Sequence, residues 1–229
     1  DLNTARLSLA GAGTTTAGLA IGGGPPNQAI VENYDGTAWA TSASLSTARY
    51  GDAAAGTSTA GVVFGGYSEG YPGYIALTEE FNGSTYSESG DMATARHYLG
   101  GTGTQTAAVA VGGSQPPPVS ALVENYDGSS WTSGTNIPTA TSNIRASGTQ
   151  TSNLGFAGYN TALSVKTYAY DGTSWTTKPD MSTARQEGGN STQGTTTTAF
   201  MAGGEEPSMS NKTEEFTGST LQGKTITTS

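Results

Sequence analysis

The run Glu124-Asn125-Tyr126-Asp127-Gly128-Ser129-Ser130-Trp131, preceded by Val109-Ala110-Val111-Gly112-Gly113, decides how this chain is read. In the earlier segment bulky and small residues alternate up to a pair of glycines, and a period of two means a strand with two unlike faces. In the later segment an aromatic residue is followed by Asp-Gly, a pair that favours a type I′ hairpin, in which both central residues take positive φ. A tryptophan three residues beyond the turn glycine opens the next strand.

Working outward, the same anchors recur five times in the same order. Four copies open with Thr4-Ala5-Arg6, Thr47-Ala48-Arg49, Thr94-Ala95-Arg96 and Thr183-Ala184-Arg185, while the fourth has Thr139-Ala140-Thr141. A Gly-Thr step follows seven residues after the Arg position, or nine in the last copy. Then come the paired glycines (Gly22-Gly23, Gly65-Gly66, Gly112-Gly113, Ala157-Gly158, Gly203-Gly204) and the closing aromatics Tyr34, Phe81, Tyr126, Tyr170 and Phe216. Trp39, Tyr86, Trp131, Trp175 or Leu221 stands beyond each turn. Arg positions lie 43, 47, 45 and 44 residues apart, which gives units of 1–45, 46–91, 92–137, 138–180 and 181–229 and leaves no second domain.

Each unit reads as four short strands, so the expected fold is all-β: a closed five-bladed β-propeller with four antiparallel strands per blade. Radial closure suits equal units because it leaves only short, protected edges. One face of each second strand is bulky (Leu19 and Ile21, Val62 and Phe64) and the other small, as blades stacking bulky face on small face require. The stretches after each Arg position are poor in bulk, which suits an innermost strand at a crowded axis. Blade one is expected to start near Asp1 and blade five to end near Thr227, with Trp39, Trp131 and Trp175 packed between blades. The Asp-Gly and Asn-Gly acids and amides are read as turn residues before calcium or acid-base groups.

Composition removes whole classes of function. There is no cysteine, so zinc fingers, disulfide scaffolds and thiol nucleophiles are out, and the single histidine, His97, removes multi-histidine metal centres. A formal charge of -9 with scattered Lys and Arg argues against nucleic acid as a partner. No apolar run approaches the ~20 residues of a membrane helix. No cofactor, metal or catalytic residue is expected, because no nucleophile and base share a recognisable spacing. The first residue, Asp1, points to a processed product or a piece of something longer.

Paired glycines ending the second strand, Tyr-Asp closing the third, tryptophan in the fourth and the link Met181-Ser182-Thr183-Ala184-Arg185 together resemble a kelch repeat. The wording of units such as Gly103-Thr104-Gln105-Thr106-Ala107 resembles repeats of aquatic bacteriophage structural proteins. That resemblance implies a virion protein, with an extracellular protein as the alternative, and an oligomer formed through the parent assembly. Kelch-like oxidases use histidines and a cysteine that this chain lacks, so their copper chemistry is not expected.

Two residue sets stand out by position. Glu32, Glu79, Glu124 and Glu214 lie two residues before the closing aromatic, and the fourth unit, which lacks the Arg, also lacks this Glu and has Tyr168. Joint loss points to structural ion pairs of Arg6, Arg49, Arg96 and Arg185 with those four acids. The loops after the paired glycines differ in every unit and all open on one face of a propeller, the usual geometry of a recognition surface. The candidate ligand residues are Tyr67, Glu69, Tyr71, Tyr74, Tyr159, Asn160, Glu205 and Glu206. The expected function is a non-enzymatic structural or adhesion module that contacts host-surface carbohydrate or a virion protein. The alternatives are a five-bladed lectin with one sugar site per blade and a kelch-type interaction adaptor.

Overall fold

The computed structural model describes residues 1–71, 73–116 and 119–218, and the backbone of 221–224. Alternating sequences produce strands throughout, arranged as five four-stranded antiparallel sheets that form the blades of a β-propeller. In every blade the strands are adjacent in chain order. Blade 1 holds Ala10–Thr14, Ala17–Ile21, Val31–Tyr34 and Trp39–Thr41; blade 2 holds Ala53–Gly56, Gly61–Phe64, Thr78–Phe81 and Tyr86–Glu88. Blade 3 holds Gly100–Thr104, Ala107–Val111, Val123–Tyr126 and Trp131–Ser133; blade 4 holds Arg145–Thr149, Ser152–Phe156, Thr167–Tyr170 and Trp175–Lys178. Blade 5 holds Gly189–Asn190, Thr198–Ala202, Thr213–Thr217 and Leu221–Lys224, and the expected end at Thr227 lies outside the described residues.

The core lies between blades, bulky face on small face. Leu19 and Ile21 of blade 1 pack with Ala54, Val63 and Phe81 of blade 2, and Val62 and Phe64 of blade 2 with Ala108, Ala110 and Tyr126 of blade 3. Val109 and Val111 meet Ile144 and Ala146, and Leu154 and Phe156 meet Met201 and Phe216. Each fully buried side chain of this size contributes about 1.5–3 kcal/mol. A main-chain bond crosses each of these junctions, from the second glycine of a pair to the Arg-position carbonyl of the next unit. The bonds run from Gly23 to Arg49, Gly66 to Arg96, Gly113 to Thr141 and Gly158 to Arg185, at 2.8–3.0 Å. These glycines have φ near +100°, and a Cβ on Gly23 would stand 2.8 Å from the Leu7 carbonyl oxygen, so the position takes no larger residue.

The Arg and Glu sets form one buried clamp per unit. Guanidinium-to-carboxylate distances are 2.5 Å for Arg6–Glu32, 2.5 Å for Arg49–Glu79, 2.8 Å for Arg96–Glu124 and 3.0 Å for Arg185–Glu214. The arginine lies in the link before the first strand and the glutamate in the third strand, and the length of the Arg side chain bridges them. Arg96 also donates to the carbonyls of Gly112 (2.6 Å) and Leu122 (2.8 Å), so it satisfies main chain just after the second strand and just before the third at once. The carboxylate in turn accepts link amides, as Glu32 does from Asn3 (2.7 Å) and Thr4 (3.2 Å). Burial pushes the Glu32 pKa up, but the amide bonds and Arg6 outweigh it and hold the group below its usual value. In the fourth unit a neutral bond, Tyr168 Oη to Thr139 Oγ1 at 2.9 Å, stands in place of the clamp.

One expectation is corrected, and the packing expected of the tryptophans is met by Trp131 and Trp175 but not by Trp39. The Asp-Gly turns are four-residue loops and not two-residue type I′ hairpins: Tyr34 pairs with Trp39, and Gly36 has positive φ while Asp35 does not. Asp35 instead caps the loop, accepting from the amides of Thr37 (2.8 Å) and Ala38 (2.9 Å) and from Thr37 Oγ1, bonds that lower its pKa to about 2. The tryptophans are half-buried. Trp131 donates to Thr78 Oγ1 (3.0 Å) and meets Phe64 edge-on, and Trp175 donates to the Thr135 carbonyl (2.7 Å), so both lean on the preceding blade. Trp39 packs against Tyr34 of its own blade, with 5.1 Å between ring centroids.

Candidate recognition face

Each paired-glycine loop is held against the link of its own unit by one isolated bridge: Leu7 with Gly24, Tyr50 with Tyr67, His97 with Ser114, Ser142 with Tyr159, Gln186 with Glu205. One residue further on, Ser8, Gly51, Tyr98, Asn143 and Glu187 all have positive φ, between 50° and 63°. This left-handed step turns the chain from the link into the inner strand, and only one of the five residues is a glycine. Holding bulkier residues there costs of order 1–3 kcal/mol each, and such strain gathers at functional positions. A Cβ on Gly51 would lie 3.0 Å from the Tyr98 ring, so the glycine makes room for that tyrosine. The rim is tied by main-chain bonds from Gly51 to Ser8 (2.8 Å), Tyr98 to Gly51 (2.6 Å) and Asn143 to Tyr98 (2.7 Å).

These five residues surround the mouth of an axial cavity of about 660 Å³. Arg145 lines it, its Nε donating to the Gly188 carbonyl at 2.6 Å; burial depresses its pKa against the pull of nearby Glu187. Asp52 also lines the cavity, buried and with neither carboxylate oxygen hydrogen-bonded, and burial raises its pKa to about 7 despite Arg49. At the opposite end the two extra residues of the last unit form a plug. Gln193 Nε2 reaches the carbonyls of Gly56 (3.5 Å) and Gly103 (3.3 Å), and Thr102 Oγ1 donates to the Thr192 carbonyl (2.5 Å). Among the described residues no three His, Asp or Glu side chains gather as a metal-binding group.

Beside the mouth an aromatic shelf spans blades 2 and 3. Tyr74 meets His97 edge-on at 4.7 Å, His97 lies 4.3 Å from Tyr98, and Tyr50 lies 5.4 Å from Tyr67 and 6.2 Å from Tyr98. Burial lowers the His97 pKa, so the imidazole is neutral near pH 7 and the shelf carries no positive charge.

The eight candidate residues divide among three blades. Tyr67 and Tyr74 form part of the shelf, with Glu69 and Tyr71 exposed at the loop tip; Tyr71 is 47% exposed. Tyr159 and Asn160 form one strand of a separate small hairpin in blade 4, paired with Ala162 and Leu163, where the Tyr159 hydroxyl donates to the Thr161 carbonyl. Glu205 accepts from Gln186 (2.8 Å), and Glu206 is engaged by Lys212 (2.9 Å) and Ser210. Sequence reasoning missed Tyr50, Tyr98, Asn143 and Glu187. Their signal was positional: Tyr98, Asn143 and Glu187 share the position two residues after each Arg site and Tyr50 the position one residue after, and both positions differ in every unit, as the recognition loops do. In sequence comparison the chain matches no protein-family model and no curated protein, so its description stands on the propeller and on this face.

Proposed function

We propose that this chain is a non-catalytic recognition module of kelch-like repeats from a phage virion, using its paired-glycine loop face to bind host-surface glycan or a neighbouring virion protein. The observation that carries the reading is the aromatic shelf with Tyr71 standing free at its edge. Tyrosine offers a flat apolar ring and a hydroxyl, a combination that suits the C–H faces and hydroxyls of a sugar. Side chains at the mouth and in the loops differ from blade to blade, whereas the polar set that repeats, the Arg–Glu clamps, has 0–4% of its side-chain surface exposed. Ligand contact through the unique loops is therefore favoured over one equivalent site per blade. A net charge of -9, with Glu69 on the face, favours neutral over anionic ligands.

The test is binding to a glycan array and to host envelope polysaccharide, comparing the native chain with a Tyr71→Ala/Tyr74→Ala variant. The expected result is at least a tenfold loss in the variant. Unchanged binding, or binding mapped to the opposite face near Thr14, Thr57 and Thr104, rejects this site in favour of the per-blade lectin.

A further inference from the structure

Among the described residues, five blades are served by four apolar clusters and four glycine-to-carbonyl bonds, and the junction left without either is the one between blade 5 and blade 1. The Gly204 amide, counterpart of those of Gly23, Gly66, Gly113 and Gly158, makes no such bond to a described residue, and the Arg6 carbonyl receives none from one. Both flanks carry the side chains that build the other junctions. On blade 5, Phe200 occupies the place of Leu19, Val62, Val109 and Leu154, yet it is 43% exposed where they are at most 3% exposed. On blade 1, Tyr34 is half-buried, whereas the equivalent aromatics Phe81 and Tyr126 are fully covered by the preceding blade. Leu7 (68% exposed) and Met209 (87% exposed) border the same opening, and the axial cavity continues into it past Gly18, Leu19 and Trp39.

We propose that this seam is the docking site of one further four-stranded blade of the same repeat pattern, completing a six-membered ring. The occupant is specified by both flanks. It must offer a small face and a closing aromatic to Phe200, an Arg-position carbonyl to the Gly204 amide, and a bulky second strand to Tyr34 and Trp39. Its size follows from the angular step. Five blades close on themselves only if each junction turns by about 72°, and four junctions of one kind that leave an opening turn by less; the next closed ring has a step of about 60°. The axis agrees, since it is wide enough to admit the main chain around Thr192 and the side chain of Gln193. The proposal concerns the ring itself and does not depend on what the loop face binds.

The chain has no cysteine, so introduced thiols report cleanly. Phe200→Cys is labelled with iodoacetamide in the 229-residue chain and in a fusion carrying a second copy of residues 92–137 after Ser229, with thermal melts of both recorded. The expected result is fast labelling in the chain alone, at least tenfold protection in the fusion and a higher Tm. A Phe200→Cys/Gly18→Cys variant tests self-closure, because Leu19 approaches Gly61 in the corresponding way at the first junction. Efficient intramolecular disulfide formation in the chain alone overturns the proposal in favour of a five-membered ring. Equal labelling with and without the added unit overturns it as well, and so does protection of the introduced thiol in a dimer of the unfused chain.

Discussion

Replacing Asp52 by Asn should make the protein more stable at pH 8 while changing little near pH 4. The residue sits three positions after the Arg site, where the other units have Leu9, Leu99, Ile144 and Gly188, and both of its carboxylate oxygens are buried without a hydrogen bond. Burial raises its pKa from 3.8 to about 7. Between those values the folded chain keeps a proton that the unfolded chain releases, so stability falls as pH rises and the loss is complete above about pH 7. A shift of about 3 units at 1.36 kcal/mol each sets the loss at about 4 kcal/mol. Asp35, lowered to about 2 chiefly by the Thr37 hydroxyl and then by loop amides, and Asp127, lowered to about 2 by the Ser130 amide and then by Ser129, act with the opposite sign, stabilising above about pH 4 and losing that contribution as the medium becomes more acid. They are common to both proteins and cancel in the difference. Urea unfolding followed by tryptophan fluorescence at about pH 4.5, 6 and 8 should therefore give a variant-minus-native difference that grows with pH. A difference that is flat with pH, or that shrinks, refutes the assignment of Asp52 as a strained buried acid.

Removing one partner of a clamp, Arg96→Met or Glu124→Gln, should cost about 3–5 kcal/mol by stranding the other charge, and a double-mutant cycle on the pair should show strong coupling. Gly51→Ala should cost about 1–3 kcal/mol in denaturant melts, through its positive φ and the Tyr98 ring, and Tyr98→Ala should recover part of that loss. Gln150→Ala should cost about 1–3 kcal/mol, because Gln150 Nε2 crosses from blade 4 to the carbonyls of Ala108 (2.9 Å) and Tyr126 (2.6 Å). Tyr71→Ala, at an exposed tip, should leave Tm within about a degree of native, so that any binding loss reads on recognition alone.

The blades were legible because their anchors are local: an alternating strand, a glycine pair and an aromatic before a turn each fix one element within a few residues. The Arg–Glu clamps were legible through a coincidence of losses in one unit, which bypassed the need to know how strands apart in sequence meet. Turn geometry was misread because Asp-Gly fits two loop lengths, and the choice fell to Thr37 and its neighbours, whose amides and hydroxyl the aspartate binds. The shelf was half legible. Tyr67, Tyr71 and Tyr74 stand close in sequence, but Tyr50, His97 and Tyr98 join them through links that only the ring brings together. The bare fifth junction left no mark in the sequence, since Phe200 reads like any other core aromatic.

The neutral bond of the fourth unit says something about how such a protein changes over generations. A unit that exchanges its charged clamp for the Tyr168–Thr139 arrangement must replace both the Arg, here Thr141, and the Glu, here Tyr168, since Thr139 stands where the other units also have a threonine. Whichever goes first leaves either a guanidinium or a carboxylate alone in the interior, an intermediate about 3–5 kcal/mol worse than either endpoint. Against a total stability of about 5–15 kcal/mol, that intermediate comes close to unfolding the chain. Point substitution is thus a poor road between the two kinds of blade, whereas duplication or recombination of a whole unit carries both residues across together. Units of nearly equal length, each with its own self-contained clamp or the neutral bond that replaces it, are suited to being copied, lost or shuffled as blocks.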